Sequence, residues 1–202
     1  MSKGKKSIWT PANVVTCARV VLVPVWLLVA ELSRDWGAAP NHYEGALGVA
    51  VFYILLSLTD KLDGHLARSR GEVTTFGKFL DPIADKLVVV VSLCYLLEAQ
   101  MVSPWVLLVV VAREFLVSGL RMVVASKGVV IAASSLGKWK TATTMVSISG
   151  LLLLRAIPIS GVAFVVSAVS FALLWVAVVL TAWSGVDYFA KSWKYITEDA
   201  DD

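Results

Sequence analysis

Residues 60–85 read DKLDGHLARSRGEVTTFGKFLDPIAD, and Asp60, Asp63, Asp81 and Asp85 are spaced within it for helix faces. At about 100° per residue, Asp60, Asp63, Gly64 and Ala67 fall within about 100° of one another, with Arg68 at the edge. Gly77, Asp81 and Asp85 recur every four residues and form one stripe on a second helix. Each helix therefore carries two carboxylates beside residues with little or no side chain, which let a backbone or a flat ligand approach closely. Four carboxylates facing one another away from water would repel and take up protons. One divalent cation, or two, removes that conflict. An all-oxygen donor set suits Mg2+ or Mn2+, with Ca2+ open as well. It does not suit zinc, because His65 projects away from the aspartate face and His42 falls in a loop between apolar runs. Cations on a diphosphate, an arginine fork for its oxygens and a base for the nucleophile are what phosphoryl-type transfer needs.

Two further polar sets interrupt the apolar sequence. NVVTCAR places Asn13, Thr16 and Arg19 at three-residue intervals on one side of the first helix. AREFLVSGLRMVVASKG carries Arg113, Glu114 and Arg121, and SSLGKWKTATT then carries Lys138, Lys140 and Thr141. Excess positive charge at a water-filled cavity would hold an anion. The other reading is snorkelling and internal ion pairing, Arg113 with Glu114 for instance.

The elements that must position these residues are membrane helices. Of the 202 residues, 58% are hydrophobic and 16% charged, where soluble domains carry about 25% charged. The mean hydropathy is +0.78. Apolar runs at 14–32, 45–58, 87–97, 105–124, 142–154 and 162–183 alternate with the charged segments. The run 45–58 would cover only about 21 Å of a core roughly 30 Å thick, so its charged continuation must lie within the outer bilayer. The expected fold is all-α and integral to the membrane, a single domain over 1–202. Its six transmembrane helices fall at approximately 10–33, 45–69, 75–98, 104–126, 136–156 and 161–190. Thr10 and Pro11 read as an N-cap and first helical residue. The lysines near the N-terminus precede an apolar run too long for a signal peptide, which makes it a retained helix. With the N-terminus in the cytoplasm, only Arg34 and Arg155 among the Lys and Arg fall in external loops. That bias places both termini and the aspartate site at the cytoplasmic side. Cys17 and Cys94 have no ligand spacing and read as inert core residues. The net charge of +3 is mostly topology, and nucleic acid is an unneeded partner.

The aspartate stretch resembles the CDP-alcohol phosphotransferase family, whose signature is DxxDGxxAR, eight residues, then GxxxDxxxD. The matching positions here are Asp60, Asp63, Gly64, Ala67, Arg68, Gly77, Asp81 and Asp85. NVVTCAR resembles the family's Asn-x-x-Thr-x-x-Arg entry to its first helix, although Ala12 stands where relatives often have proline. The resemblance implies a six-helix homodimeric membrane enzyme that transfers a phosphatidyl group from a CDP-linked lipid to an alcohol and releases CMP. It implies a dinuclear metal site on Asp60, Asp63 and Asp81, with Asp85 as general base and additional metal contact. Asn13, Thr16, Asp63, Gly64, Ala67, Arg68 and Gly77 would line the CDP-lipid pocket. The second half, with TAWSGVDYF at 181–189, is similar to the branch using CDP-diacylglycerol as donor and sn-glycerol 3-phosphate as acceptor. Arg113, Arg121, Lys138, Lys140 and Thr141 would then hold the acceptor's phosphate. The absence of a transit-type extension favours a bacterial inner (plasma) membrane. Two alternatives are an enzyme of the same family with inositol phosphate or serine as acceptor, and a cation transporter. Transport is disfavoured because all four aspartates sit at one membrane face, with no ionisable path to the other.

Overall fold

Hydroxyl side chains open four of the helices. Thr10 Oγ1 accepts from the Asn13 N–H at 3.3 Å and Pro11 follows it. Thr74 Oγ1 accepts from the Gly77 N–H at 3.0 Å. Ser103 caps before Pro104, and Ser160 Oγ accepts from the Ala163 N–H. In each case a side-chain oxygen satisfies an N–H that the first helical turn leaves without a partner. The computed structural model describes residues 10–35, 42–70, 74–129, 135–158 and 160–197, with the backbone alone at 12, 34, 35, 42, 60–70, 75, 78 and 135.

Regular structure among the described residues is entirely helical. The elements are α1 (Pro11–Asp35), α2 (His42–Arg70), α3 (Thr75–Glu98), α4 (Pro104–Ser126), α5 (Ser135–Leu154) and α6 (Gly161–Thr197). Helix α6 runs past the residue 190 expected from hydropathy. Its last turns contain neither Gly nor Pro, and an i,i+4 pair between Asp187 and Lys191 at 2.7 Å bridges the crossing. Among the described residues, Asn13–Ser33 and Gly161–Thr197 are long and apolar enough to cross a membrane, and Tyr43–Thr59 is a shorter apolar segment. Large apolar side chains also face outward, Val21 at 63% exposure and Phe115 and Phe164 at 76% each. Water penalises such surfaces and lipid does not. Cys94 is exposed and Cys17 half-buried, so neither is the core residue expected from its apolar run, which faces outward as well as inward.

The chain divides into two compact units, Met1–Ser92 with Leu152–Pro158, and Leu93–Leu151 with Ile159–Asp202. In the first, α1 and α2 run antiparallel. Trp26 of α1 is buried, donates from Nε1 to the Val49 carbonyl at 3.0 Å, and tilts against Tyr53 with ring centroids 5.9 Å apart. Val23 and Ala30 of α1 and Ala50 and Leu56 of α2 are buried as well. In the second unit, α4 buries Val106, Val110, Val117, Leu120 and Val124. The buried face of α6 is mostly small or hydroxylic: Ser170, Ala177, Thr181, Ser184, Gly185 and Ser192 beside Leu174 and Tyr188. The Thr181, Ser184 and Ser192 hydroxyls donate to carbonyls of their own helix. Small side chains let helices pack closely where no hydrophobic effect drives them together.

Candidate active site

In the first unit, α1 presents a polar edge to α3. Asn13, Thr16 and Arg19, three residues apart, are all buried. Asn13 Nδ2 donates to Thr74 Oγ1 at 2.7 Å. Thr16 Oγ1 donates to Asp81 Oδ1 at 2.8 Å. Arg19 Nη1 donates to Asp85 Oδ1 at 2.7 Å. The partners advance along α3 as the donors advance along α1, so these helices run parallel there. Three side chains of α1 thus hold the start of α3 and then Asp81 and Asp85 in turn.

Gly77 is part of that contact. A Cβ at Gly77 would lie 2.6 Å from Asn13 Oδ1 and 3.3 Å from Thr74 Oγ1. The glycine lets α1 and α3 close on each other at the N-terminus of α3. Beyond it, Pro82 lies inside α3 between Asp81 and Asp85. It has no N–H to give to the carbonyl four residues earlier, which loosens the helix ladder in the turn that contains Asp81.

Asp81 is exposed and Asp85 is 41% exposed, while the Arg19 side chain is only 1% exposed. The carboxylates therefore open outward from a buried cation. The side chains of Asp60, Asp63, Ala67 and Arg68, together with the surroundings of Gly64, lie outside the described residues, although their backbone continues α2. Among the described residues no group of three or more His, Cys, Asp or Glu side chains gathers to hold a metal. Asp81 and Asp85 nevertheless fit a hard divalent ion by donor chemistry. They are carboxylates one helical turn apart, each with one oxygen oriented by a donor from α1.

The second unit brings together part of the basic set. Arg113 Nε donates to Ser184 Oγ at 3.1 Å and Arg113 Nη1 to Glu114 Oε1 at 3.1 Å. Lys140 reaches the same Glu114 oxygen from α5. Arg113, Glu114 and Lys140 are between 11% and 17% exposed, so the three charges form a largely enclosed cluster. A Cβ at Gly185 would stand 3.2 Å from Arg113 Cγ, so the glycine makes room for the arginine stem against α6. Thr141 Oγ1 donates to the Gly137 carbonyl at 3.1 Å. Arg121 lies elsewhere on α4, exposed, with its guanidinium carbon 5.7 Å from the Tyr188 ring centroid. Lys138 is exposed in the first turn of α5.

Several of these partners were not singled out from the sequence. Thr74 and Ser184 are ordinary hydroxyl residues with no spacing signal, and only the packing of one helix on another shows what they hold. Arg19 did carry a signal, its register with Asn13 and Thr16.

Long apolar helices that key two carboxylates with threonine and arginine mark a helical membrane protein. Comparison with known proteins makes that class specific. The family model described as CDP-alcohol phosphatidyltransferase matches residues 9–183, and the chain belongs to that family. It is 40% identical over 186 residues to the CDP-diacylglycerol–glycerol-3-phosphate 3-phosphatidyltransferase of Bacillus subtilis, covering 90% of this chain and 94% of that enzyme. It is 38% identical over 183 residues to the enzyme of the same name from Rickettsia felis, covering 91% and 95%. A third of that name, from Cereibacter sphaeroides, is 29% identical over 226 residues, covering 95% and 99%.

Proposed function

We propose that this protein transfers the phosphatidyl group of CDP-diacylglycerol to sn-glycerol 3-phosphate, giving phosphatidylglycerophosphate and CMP. The observation that carries this reading is similarity along nearly the whole chain, at 40% identity, to an enzyme named for that reaction. The complete aspartate signature at 60–85 supports it.

In the transfer, the acceptor's primary hydroxyl attacks the phosphorus that bears the diacylglycerol. The bond from that phosphorus to the bridging oxygen breaks, CMP leaves with that oxygen, and the hydroxyl proton passes to a base. Asp85 is the base in this reading. Asp60, Asp63 and Asp81, with a contribution from Asp85, would hold Mg2+ or Mn2+, two ions per site. When bound, such cations offset the charge of the diphosphate. Asn13, Thr16, Asp63, Gly64, Ala67, Arg68 and Gly77 serve the CDP-lipid. Of these, Asn13 and Thr16 would act from positions already anchored on α3. Arg113, Arg121, Lys138, Lys140 and Thr141 serve the acceptor's phosphate, with Glu114 balancing Arg113 and Lys140 until the anion arrives. The protein would work as a homodimer in the inner (plasma) membrane, all six helices spanning, with both termini and the site at the cytoplasmic side. The distribution of Lys and Arg along the sequence supports that orientation.

The test is direct. Purified protein is incubated with CDP-diacylglycerol and, separately, glycerol 3-phosphate, inositol phosphate or serine. CMP release is followed and the lipid product is identified by mass. Glycerol 3-phosphate should give phosphatidylglycerophosphate. CMP release with only another acceptor would move the protein to a different branch of the family.

A further inference from the structure

Arg19 is a charged side chain sealed inside the first unit, and its hydrogen bonds reach two other helices. Nη1 donates to Asp85 Oδ1 of α3 at 2.7 Å. Nε donates to Thr59 Oγ1 of α2 at 3.3 Å. Thr59 gives its own proton to the Leu56 carbonyl at 2.6 Å, which turns its oxygen toward the guanidinium as an acceptor. Thr59 is the residue directly before Asp60. A guanidinium is a rigid plane, so the directions of its Nε and Nη1 bonds are fixed relative to each other. One side chain of α1 therefore sets the carboxylate of Asp85 against the backbone turn from which Asp60 and Asp63 project.

Burying a guanidinium is costly unless its bonds are made with good geometry. An apolar residue would fill the same space against α2 at less cost, so packing alone does not account for an arginine here. Its partners include a carboxylate of the family signature and the neighbour of another.

We infer that Arg19 is a positioning residue of the transfer reaction, holding the Asp85 carboxylate and the Asp60 turn of α2 in mutual register. It acts through Asp85 and does not touch substrate. The inference rests on the reading of Asp85 as the base. A lysine has the charge but can place only a single nitrogen, so it cannot keep both bonds in their present directions.

The experiment measures kcat and both KM values for wild type, Arg19→Lys and Thr59→Val in detergent, with thermal melting of each. Arg19→Lys should lower kcat by about 10- to 100-fold while both KM values stay within about threefold, the pattern of an interaction expressed in the transition state. Thr59→Val removes the bond to Nε and should lower kcat by about 3- to 10-fold with the same split. An Arg19→Lys protein with more than half the wild-type kcat would overturn the inference. So would a rise in donor KM with unchanged kcat, which would make Arg19 a direct contact of the diphosphate. If Arg19→Lys does not purify folded, Thr59→Val decides, and an unchanged kcat there overturns it. Wild type that releases CMP only with another acceptor would refute the proposed acceptor and leave Arg19 to be judged by the same ratios with that acceptor. Wild type that releases none with any acceptor would overturn both readings.

Discussion

Each aspartate of the 60–85 stretch has a separable consequence. Asp60→Asn, Asp63→Asn and Asp81→Asn should each abolish turnover while the protein still inserts and purifies, because a neutral amide is a poorer ligand for a hard cation than a carboxylate. Chelator should stop the wild type, and Mg2+ or Mn2+ should restore it. Activity at wild-type level in any of the three would remove that residue from the metal site. Asp85→Asn is expected to retain CDP-diacylglycerol binding and to lose transfer by about 10²- to 10⁴-fold, since an amide cannot take the hydroxyl proton. Metal occupancy and donor affinity must be measured beside the rate. If both collapse with it, Asp85 acts chiefly as a ligand.

Between helices the contacts make coupled predictions. Gly77→Ala places a Cβ 2.6 Å from Asn13 Oδ1, so either α1 moves or the bond from Asn13 to Thr74 breaks, at a cost of about 1–3 kcal/mol. Asn13→Ala removes the obstructing atom. Melting of the two single variants and the double variant should therefore be less than additive, and strict additivity would mean that Asn13 is not what Gly77 accommodates. In the second unit, Arg121→Ala and Lys138→Ala test the acceptor assignment on the two exposed cations. Losing a charge-assisted phosphate contact of about 1.5–3 kcal/mol should raise the KM for glycerol 3-phosphate roughly 10- to 150-fold, well beyond any change for the donor. A shift in the donor KM instead would assign these cations to the diphosphate. Glu114→Gln is expected to lower the melting temperature, because Arg113 and Lys140 would lose a shared counter-charge in a mostly enclosed cluster.

At the scale of the whole molecule, the proposed topology of six spans with a cytoplasmic N-terminus would put Arg34 and Arg155 on the outside. A cysteine at position 155, in a chain whose Cys17 and Cys94 are replaced by serine, should react with a membrane-impermeant maleimide in intact cells. A cysteine at position 138 should react only after the membrane is opened. The reverse pattern would invert the topology and move the aspartate site to the other face.

Much of this was legible in the chain alone. Helical periodicity, the caps at Thr10 and Pro11, and the spacing of Asp60, Asp63, Asp81 and Asp85 are local properties, and they survive in a linear reading because residues three and four apart share a helix face whatever surrounds them. The family was legible for the same reason, since its signature is a pattern of fixed gaps. Contacts between helices were not legible. Glu114 is seven residues from Arg121 and on its stripe, yet its carboxylate turns to Arg113 and to Lys140 of another helix. Arg121 rests over Tyr188 instead. Nothing in the spacing of Thr59 marks it as a partner of buried Arg19, nor that of Ser184 as a partner of Arg113. The register between α1 and α3, which gives Thr16 to Asp81 and Arg19 to Asp85, depends on how closely Gly77 lets the two helices approach. That distance is set by side-chain volume across an interface joining residues more than sixty positions apart, and only the folded structure decides it.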